Sequence, residues 1–294
     1  MTKLGVSTIS KGVGETLVDA ASNYILIDSL YEFAGKKIGG MIGCEDACVT
    51  SSASAGIALS VASLLCKDNL SMVHHLFDEL PQISRREVVL LKGHNVDFGA
   101  PVAEMIQLGG GKVVEVGYAN GSRLEDIEHA VNENTLAVFF VKSHHCVQKD
   151  MVDVQDVVKL ANRLHVPCII NAAAEEDLSR YMAMGADMVC YSGAKAIEGP
   201  TSGFVACKTT ELASLIQDEA GREIYRAKIT FHKETYGYSA KEMISRLQEG
   251  EYAVYTRDYQ ANIGSLAIDP RPLNSLDELE YIYKRISEIG KEHA

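Results

Sequence analysis

Short apolar runs recur along the middle of this chain, each followed by a stretch with helical spacing. The runs are Glu87–Leu91, Lys112–Val116, Leu136–Val141, Cys168–Asn171, Met188–Tyr191 and Phe204–Cys207. Helical spacing falls at Val102–Leu108, Leu124–Val131, Val152–Leu164 and Asp177–Met184. Strands that alternate with helices imply an α/β fold with a mainly parallel sheet covered on both faces. Upstream, residues 13–38 carry helical periodicity, Ala47–Ser51 is a short apolar stretch, and Ile57–Leu65 has the small apolar character of a buried helix. In such sheets a ligand binds where strand ends meet helix starts.

From about Ala220 the rhythm changes. Strands are expected at 227–231, 252–256 and 265–268, and helices at 239–247, with Ser239 as N-cap, and at 276–289. Ser275 and Glu278 have capping-box spacing. The Asp269-Pro270-Arg271-Pro272 stretch stops the last strand. The expected organisation is a large domain over residues 1–208, with an N-terminal helical segment, and a small C-terminal α+β domain over 220–294.

Composition narrows the function classes. The 294 residues carry a net charge of −12. That balance argues against a nucleic-acid partner, which needs clustered Lys and Arg to neutralise phosphates. A local cationic pocket for an anionic small molecule remains compatible with it. No apolar stretch has the length of a membrane span, and Met1–Gly5 lacks a signal peptide's apolar core. The seven cysteines, at 44, 48, 66, 146, 168, 190 and 207, lie mostly inside apolar runs. They read as reduced core thiols of a cytoplasmic protein.

Lys195 follows the strand that ends at Tyr191, within Ser192-Gly193-Ala194-Lys195. A lysine among small residues at a strand end suits an amine that must be desolvated and placed. Desolvation makes the neutral, nucleophilic amine accessible, as a Schiff base with an aldehyde cofactor requires. The alternative is a lysine snorkelling from the strand end. Ser52, Ala53, Ser54, Ala55 and Gly56 lie between a strand and a helix, where backbone N–H groups and hydroxyls can meet a phosphate. An ordinary helix cap accounts for them as well. Ser192, three residues before Lys195, could reach the same phosphate. His94 could lie flat on a planar ring, or be a loop histidine bound to backbone. His144, His145 and Cys146 suggest a metal, but neighbours on an extended chain point opposite ways, so no metal site is assigned. Asn171 could address a ring heteroatom, with room for the ring beside Ala172 and Ala173; the alternative is a turn capped by Asn. Arg257 suits bidentate binding of a carboxylate or phosphate, or is a surface arginine.

Taken in order, these residues resemble the aspartate-aminotransferase-like (fold type I) enzymes that use pyridoxal 5′-phosphate, in the branch related to bacterial selenocysteine synthase. The resemblance rests on Leu4–Thr8, Ala53–Ala58, Lys92–Val96, Phe98–Val102, Gly117–Asn120, Lys142–Lys149, Ala172–Leu178 and Tyr191–Gly203. It implies a seven-stranded-type sheet and a homo-oligomer with active sites between subunits. It also implies that Lys195 holds the cofactor covalently and acts as general base. Ser52–Gly56 and Ser192 would bind the cofactor phosphate, with His94 on one ring face and Ala173 on the other. Arg257 and His144 would meet the substrate. The implied reaction removes water and then ammonia from a phosphorylated amino sugar acid such as D-glucosaminate 6-phosphate.

Two departures from that family pattern stand out. The family places an aspartate at the position of Asn171; asparagine supplies a hydrogen bond but no charge, which weakens carbanion stabilisation. The family also has a further N-terminal segment and a long stretch between its domains, whereas Lys208 here runs through a brief helix into Ala220-Gly221-Arg222. These departures motivate an alternative, a relative that binds cofactor or sugar phosphate without efficient turnover. A tRNA-dependent selenium transferase is a third reading, disfavoured by the charge.

Overall fold

A computed structural model describes residues 8–147, 149–195, 197–208, 227–231, 237–256, 258, 261–268, 273 and 275–291. The chain divides into two compact units, Met1–Gln217 and Asp218–Ala294.

The first unit is built on strands β1 (Asp46–Thr50), β2 (Glu87–Leu91), β3 (Lys112–Val116), β4 (Thr135–Val141), β5 (Cys168–Asn171), β6 (Met188–Ser192) and β7 (Gly203–Cys207). They form one sheet in the order β1-β7-β6-β5-β4-β2-β3. Only β7 runs antiparallel to its neighbours. The C-terminal ends of the six other strands therefore share one edge with the start of β7, where Thr50 and Ser192 both stand beside Gly203.

Helices α1 (Lys11–Ala21), α2 (Ile27–Ile42), α3 (Ala53–Cys66), α4 (Leu70–Glu79), α5 (Val102–Leu108), α6 (Leu124–Ala130), α7 (Val154–Arg163) and α8 (Arg180–Ala183) accompany the sheet. Alternate residues of the strands feed two cores. Val138, Phe140 and Ile170 pack with Val157, Val158 and Ala161 of α7. Phe139, Val141 and Ile169 pack with Ile57 and Val61 of α3 and with Val102 and Ile106 of α5. Each fully buried side chain of this size contributes about 1.5–3 kcal/mol. This two-sided burial is why the strands read as unbroken apolar runs.

The six strands and the helices α5, α6 and α7 fall within about two residues of expectation. The expected helical stretch over 13–38 is two helices. Ser22 Oγ donates to Val18 O at 2.7 Å and Asn23 Nδ2 to Asp19 O at 2.9 Å, so short polar side chains compete for backbone groups and end α1. The helix expected at 177–184 shrinks to α8. Asp177 Oδ1 accepts from the Ser179 and Arg180 N–H groups, turning the chain before the helix begins. Helix α4, capped by Asn69, was not anticipated.

The second unit pairs β8 (Ala227–Thr230) antiparallel with β9 (Ser265–Ile268). Helices α9 (Ala240–Gln248) and α10 (Leu276–Lys291) pack around Met243, Leu247, Leu266, Ile282 and Ile289. Ser239 caps α9 in a full capping box with Glu242. The strand expected at 252–256 does not form. Tyr281 Oη accepts from Tyr252 N–H and donates to Tyr252 O, and Val254 N–H donates to Leu247 O, so this backbone is satisfied without a partner strand. Arg257, the 269–272 stretch and the 220–222 stretch lie outside the described residues.

Candidate active site

The candidate residues of the first unit fall on the C-terminal edge of the sheet because each follows a parallel strand or begins the next helix. Ser52, in extended conformation, caps the 14-residue α3, its Oγ accepting from Ala55 N–H at 3.0 Å. Gly56 N–H closes onto Ser52 O at 3.0 Å. The N–H groups of Ala53 and Ser54 and the Ser54 hydroxyl have no acceptor or donor partner among the described residues. They are joined by the positive end of the helix dipole, and no acidic residue occupies the first turn.

Gly203 ties this turn to the lysine loop. A Cβ on Gly203 would lie 2.4 Å from Ser52 C and 2.6 Å from Ala53 N, so only glycine lets β7 start directly against the α3 N-terminus. Across the strand pair from Gly203 stands Ser192, half-buried, whose N–H donates to Ala173 O at 3.3 Å.

Asn171 ends β5 between Val141 of β4 and Cys190 of β6. It is 2% exposed. Its Oδ1 accepts from Ala173 N–H at 3.2 Å, the turn-capping role weighed above. Strand alternation puts its side chain on the Ile169 side, the face that α3 covers. Cys190 beside it has its thiol pushed up to about 12 by burial and stays neutral.

His94 lies in a short 3₁₀ turn after β2 and is 2% exposed. Its Nδ1 accepts from Val141 N–H at 3.3 Å, and its ring meets Phe140 edge-on at 4.4 Å. Burial, with a smaller push from Lys142, lowers its pKa to about 4. The ring is therefore neutral near pH 7, and an accepting Nδ1 fixes the proton on Nε2.

Lys195 is held in a tight loop between β6 and β7. Its N–H donates to Ser192 O at 3.4 Å, and Gly199 N–H closes onto Gly193 O at 2.8 Å. The expectation of a desolvated amine is not met within the single chain, where Lys195 is exposed. The small residues Gly193 and Ala194 that give clearance beside it also leave it uncovered. Its Nζ has no carboxylate partner among the described residues. It lies 6.0 Å from the centre of the Phe98 ring. Phe98 in turn is 6.3 Å from the ring of His145, which lies 4.1 Å from that of His144. Loops after β2, β4 and β6 thus converge at the lysine. Sequence reading missed Phe98 and His145 as neighbours of Lys195; the only signal was their place after parallel strands.

His144 and His145 do not point opposite ways as expected. Residues 143–146 form a turn, with Cys146 N–H donating to Ser143 O at 3.1 Å, and the turn brings the two rings together. A cavity of about 430 Å³ is lined by Val116, Gly117, Arg123, Asp126 and His129 at the end of the outer strand β3, and none of the candidate residues lines it. No single described helix is long and apolar enough to cross a membrane.

Comparisons with known proteins agree with this fold. The family profile described as L-seryl-tRNA selenium transferase (SelA) matches residues 2–236. The chain is 38% identical to D-glucosaminate-6-phosphate ammonia lyase of Salmonella typhimurium (strain 14028s / SGSC 2262), over all of this chain and 94% of that one. That alignment runs over 351 positions, more than the 294 residues here, so the relative carries internal segments without counterpart in this chain. A 5′-C-glycyluridine monooxygenase-decarboxylase of a Streptomyces species is 32% identical over 99% of this chain and 88% of its own. The solved structure of D-glucosaminate-6-phosphate ammonia-lyase superposes with a TM-score of 0.69 at 37% identity, covering 99% of this chain and 94% of that chain.

Proposed function

Because this chain belongs to the L-seryl-tRNA selenium transferase (SelA) family, in the selenocysteine-synthase-related branch of pyridoxal-phosphate enzymes, we propose that it is an ammonia-lyase for a phosphorylated amino sugar acid such as D-glucosaminate 6-phosphate. One observation carries the reading. A free lysine, a buried amide and an open helix N-terminus meet on one sheet edge, in a chain that aligns end to end with such a lyase.

The donor set fits pyridoxal 5′-phosphate. The open amides of Ala53 and Ser54, with the Ser54 and Ser192 hydroxyls, are a phosphate cradle. Asn171 offers a polar contact to the ring, with the small Ala173 beside it. His94, neutral and pinned by Val141, is a rigid polar surface carrying no charge of its own. When bound, the cofactor supplies the electron sink that makes an α-proton removable. Lys195 is the amine that would hold the cofactor's aldehyde group, and its free amine would be the base that takes the α-proton. Loss of water from the adjacent carbon leaves an enamine, which tautomerises to an imine; addition of water to that imine releases ammonia and a 2-keto-3-deoxy sugar acid phosphate. His144, near Lys195 through His145 and Phe98, and Arg257 are assigned to the anionic ends of the substrate. A second copy of the chain is assigned to cover Lys195, so the working form is a homo-oligomer.

The test is spectroscopic and catalytic. Protein loaded with pyridoxal phosphate should absorb at about 400–430 nm, and Lys195→Ala should lose that band. Ammonia release from D-glucosaminate 6-phosphate should fall by about 10²–10⁴-fold or more in the same variant. A protein that takes up no cofactor removes the proposal. Cofactor binding without efficient turnover is a second reading, favoured by Asn171 and by the missing internal segments. It predicts the band without measurable ammonia release.

A further inference from the structure

The orientation of the Asn171 amide determines what a ligand ring would meet. Ala173 N–H can only donate, so the atom facing it is Oδ1, and the 3.2 Å contact fixes which end of the amide points where. The remaining group, Nδ2, has no acceptor among the described residues, although Asn171 is 2% exposed. Nδ2 keeps accessible surface, because the buried side-chain atoms without a partner among the described residues are Thr256 Oγ1 and Arg285 Nε. A reachable donor on a side chain otherwise held by the fold is a place where a ligand can supply a lone pair. It stands on the α3 face of the sheet edge, one strand from Ser192.

Resting on the cofactor reading above, we propose that Asn171 presents a hydrogen-bond donor to the nitrogen of a bound pyridine ring and so holds that nitrogen unprotonated. A protonated ring nitrogen is itself a donor and would face a second donor. An aspartate in the same place would spend one oxygen on Ala173 N–H and offer the other, negative, to a protonated ring. The surrounding groups do not restore that charge. His94 is neutral, Cys190 keeps its proton, and Lys142 is cationic. Glu175, in the turn after Asn171, has its carboxylate engaged by Tyr181 Oη at 2.6 Å, and Tyr181 belongs to the opposite core. Asn171 is thus a specificity-determining contact. It weakens the ring as an electron sink and disfavours reactions that need a long-lived α-carbanion.

The experiment reads the ring nitrogen directly. Full-length protein is loaded with pyridoxal phosphate carrying ¹⁵N in the ring, dialysed, and examined by ¹⁵N NMR across the neutral pH range. The expected signal is that of an unprotonated pyridine, independent of pH, and Asn171→Asp should move it to the pyridinium range. A pyridinium signal in the unmodified protein overturns the inference, as does an Asn171→Asp signal that stays where it was. Should Asn171→Asp not fold, the unmodified protein's signal decides alone. Protein that retains no label after dialysis overturns the cofactor reading itself, a result distinct from either of the others.

Discussion

His94 shows how one buried residue links the site to stability. Its pKa falls from 6.5 to about 4 because burial removes the water that would solvate an imidazolium. Below pH 6.5 the unfolded chain takes up this proton and the folded chain does not. The stability held at neutral pH is therefore lost as pH drops from 6.5 to 4, by about 3 kcal/mol. Urea unfolding over that window should show this loss in the unmodified protein and not in His94→Gln. Equal slopes for the two proteins would mean the imidazole is not held neutral. At this scale the sequence was informative about residue type and poor about environment. Asn171, His94 and Lys195 were all legible as strand-end polar groups. The Asn171 amide is oriented by Ala173 two residues on, whereas His94 is pinned by Val141 and Lys195 meets Phe98, partners up to about a hundred residues away.

At the scale of elements, the site depends on how closely β7 begins against the start of α3. Gly203→Ala would force its methyl into the Ser52–Ala53 backbone, which has no flexible end to give way. The expected cost is about 1–3 kcal/mol, as for other overpacked positions. The melting temperature should drop, and cofactor affinity should fall with it because the open amides of Ala53 and Ser54 are displaced. An unchanged melting temperature and unchanged affinity would mean the turn is softer than its contacts indicate. The strands were legible because burial on both faces demands unbroken apolar runs. Elements ended by side-chain competition were less so. The break between α1 and α2 hangs on Ser22 and Asn23, and the irregular 252–256 segment on the Tyr281 hydroxyl of α10 and the Leu247 carbonyl of α9. Periodicity carries no trace of either.

For the whole molecule, the N-terminal helices pose the largest question of surface chemistry. Val18 of α1 and Phe33 and Met41 of α2 are 69%, 68% and 75% exposed in the single chain. Scattered apolar residues are ordinary, but a run of them across two adjacent helices indicates a covered surface. If a second copy covers it and Lys195, sedimentation should give at least twice the 32.0 kDa of one chain. Phe33→Glu should shift that mass downward, because a charge buried without a partner opposes association. A cofactor-loaded protein that sediments as a monomer would dismiss the homo-oligomer.

The alternation of strands and helices through the sheet, the sheet class and the choice of Lys195 as a candidate came from local pattern. Apolar period and strand-end chemistry are properties of short stretches of chain, and they survive without a fold. The meeting of the β2, β4 and β6 loops at Lys195, and the burial of Asn171 between β4 and β6, were decided by tertiary structure alone. Hydrogen bonds and contacts between distant segments exist only once the sheet has aligned its strand ends.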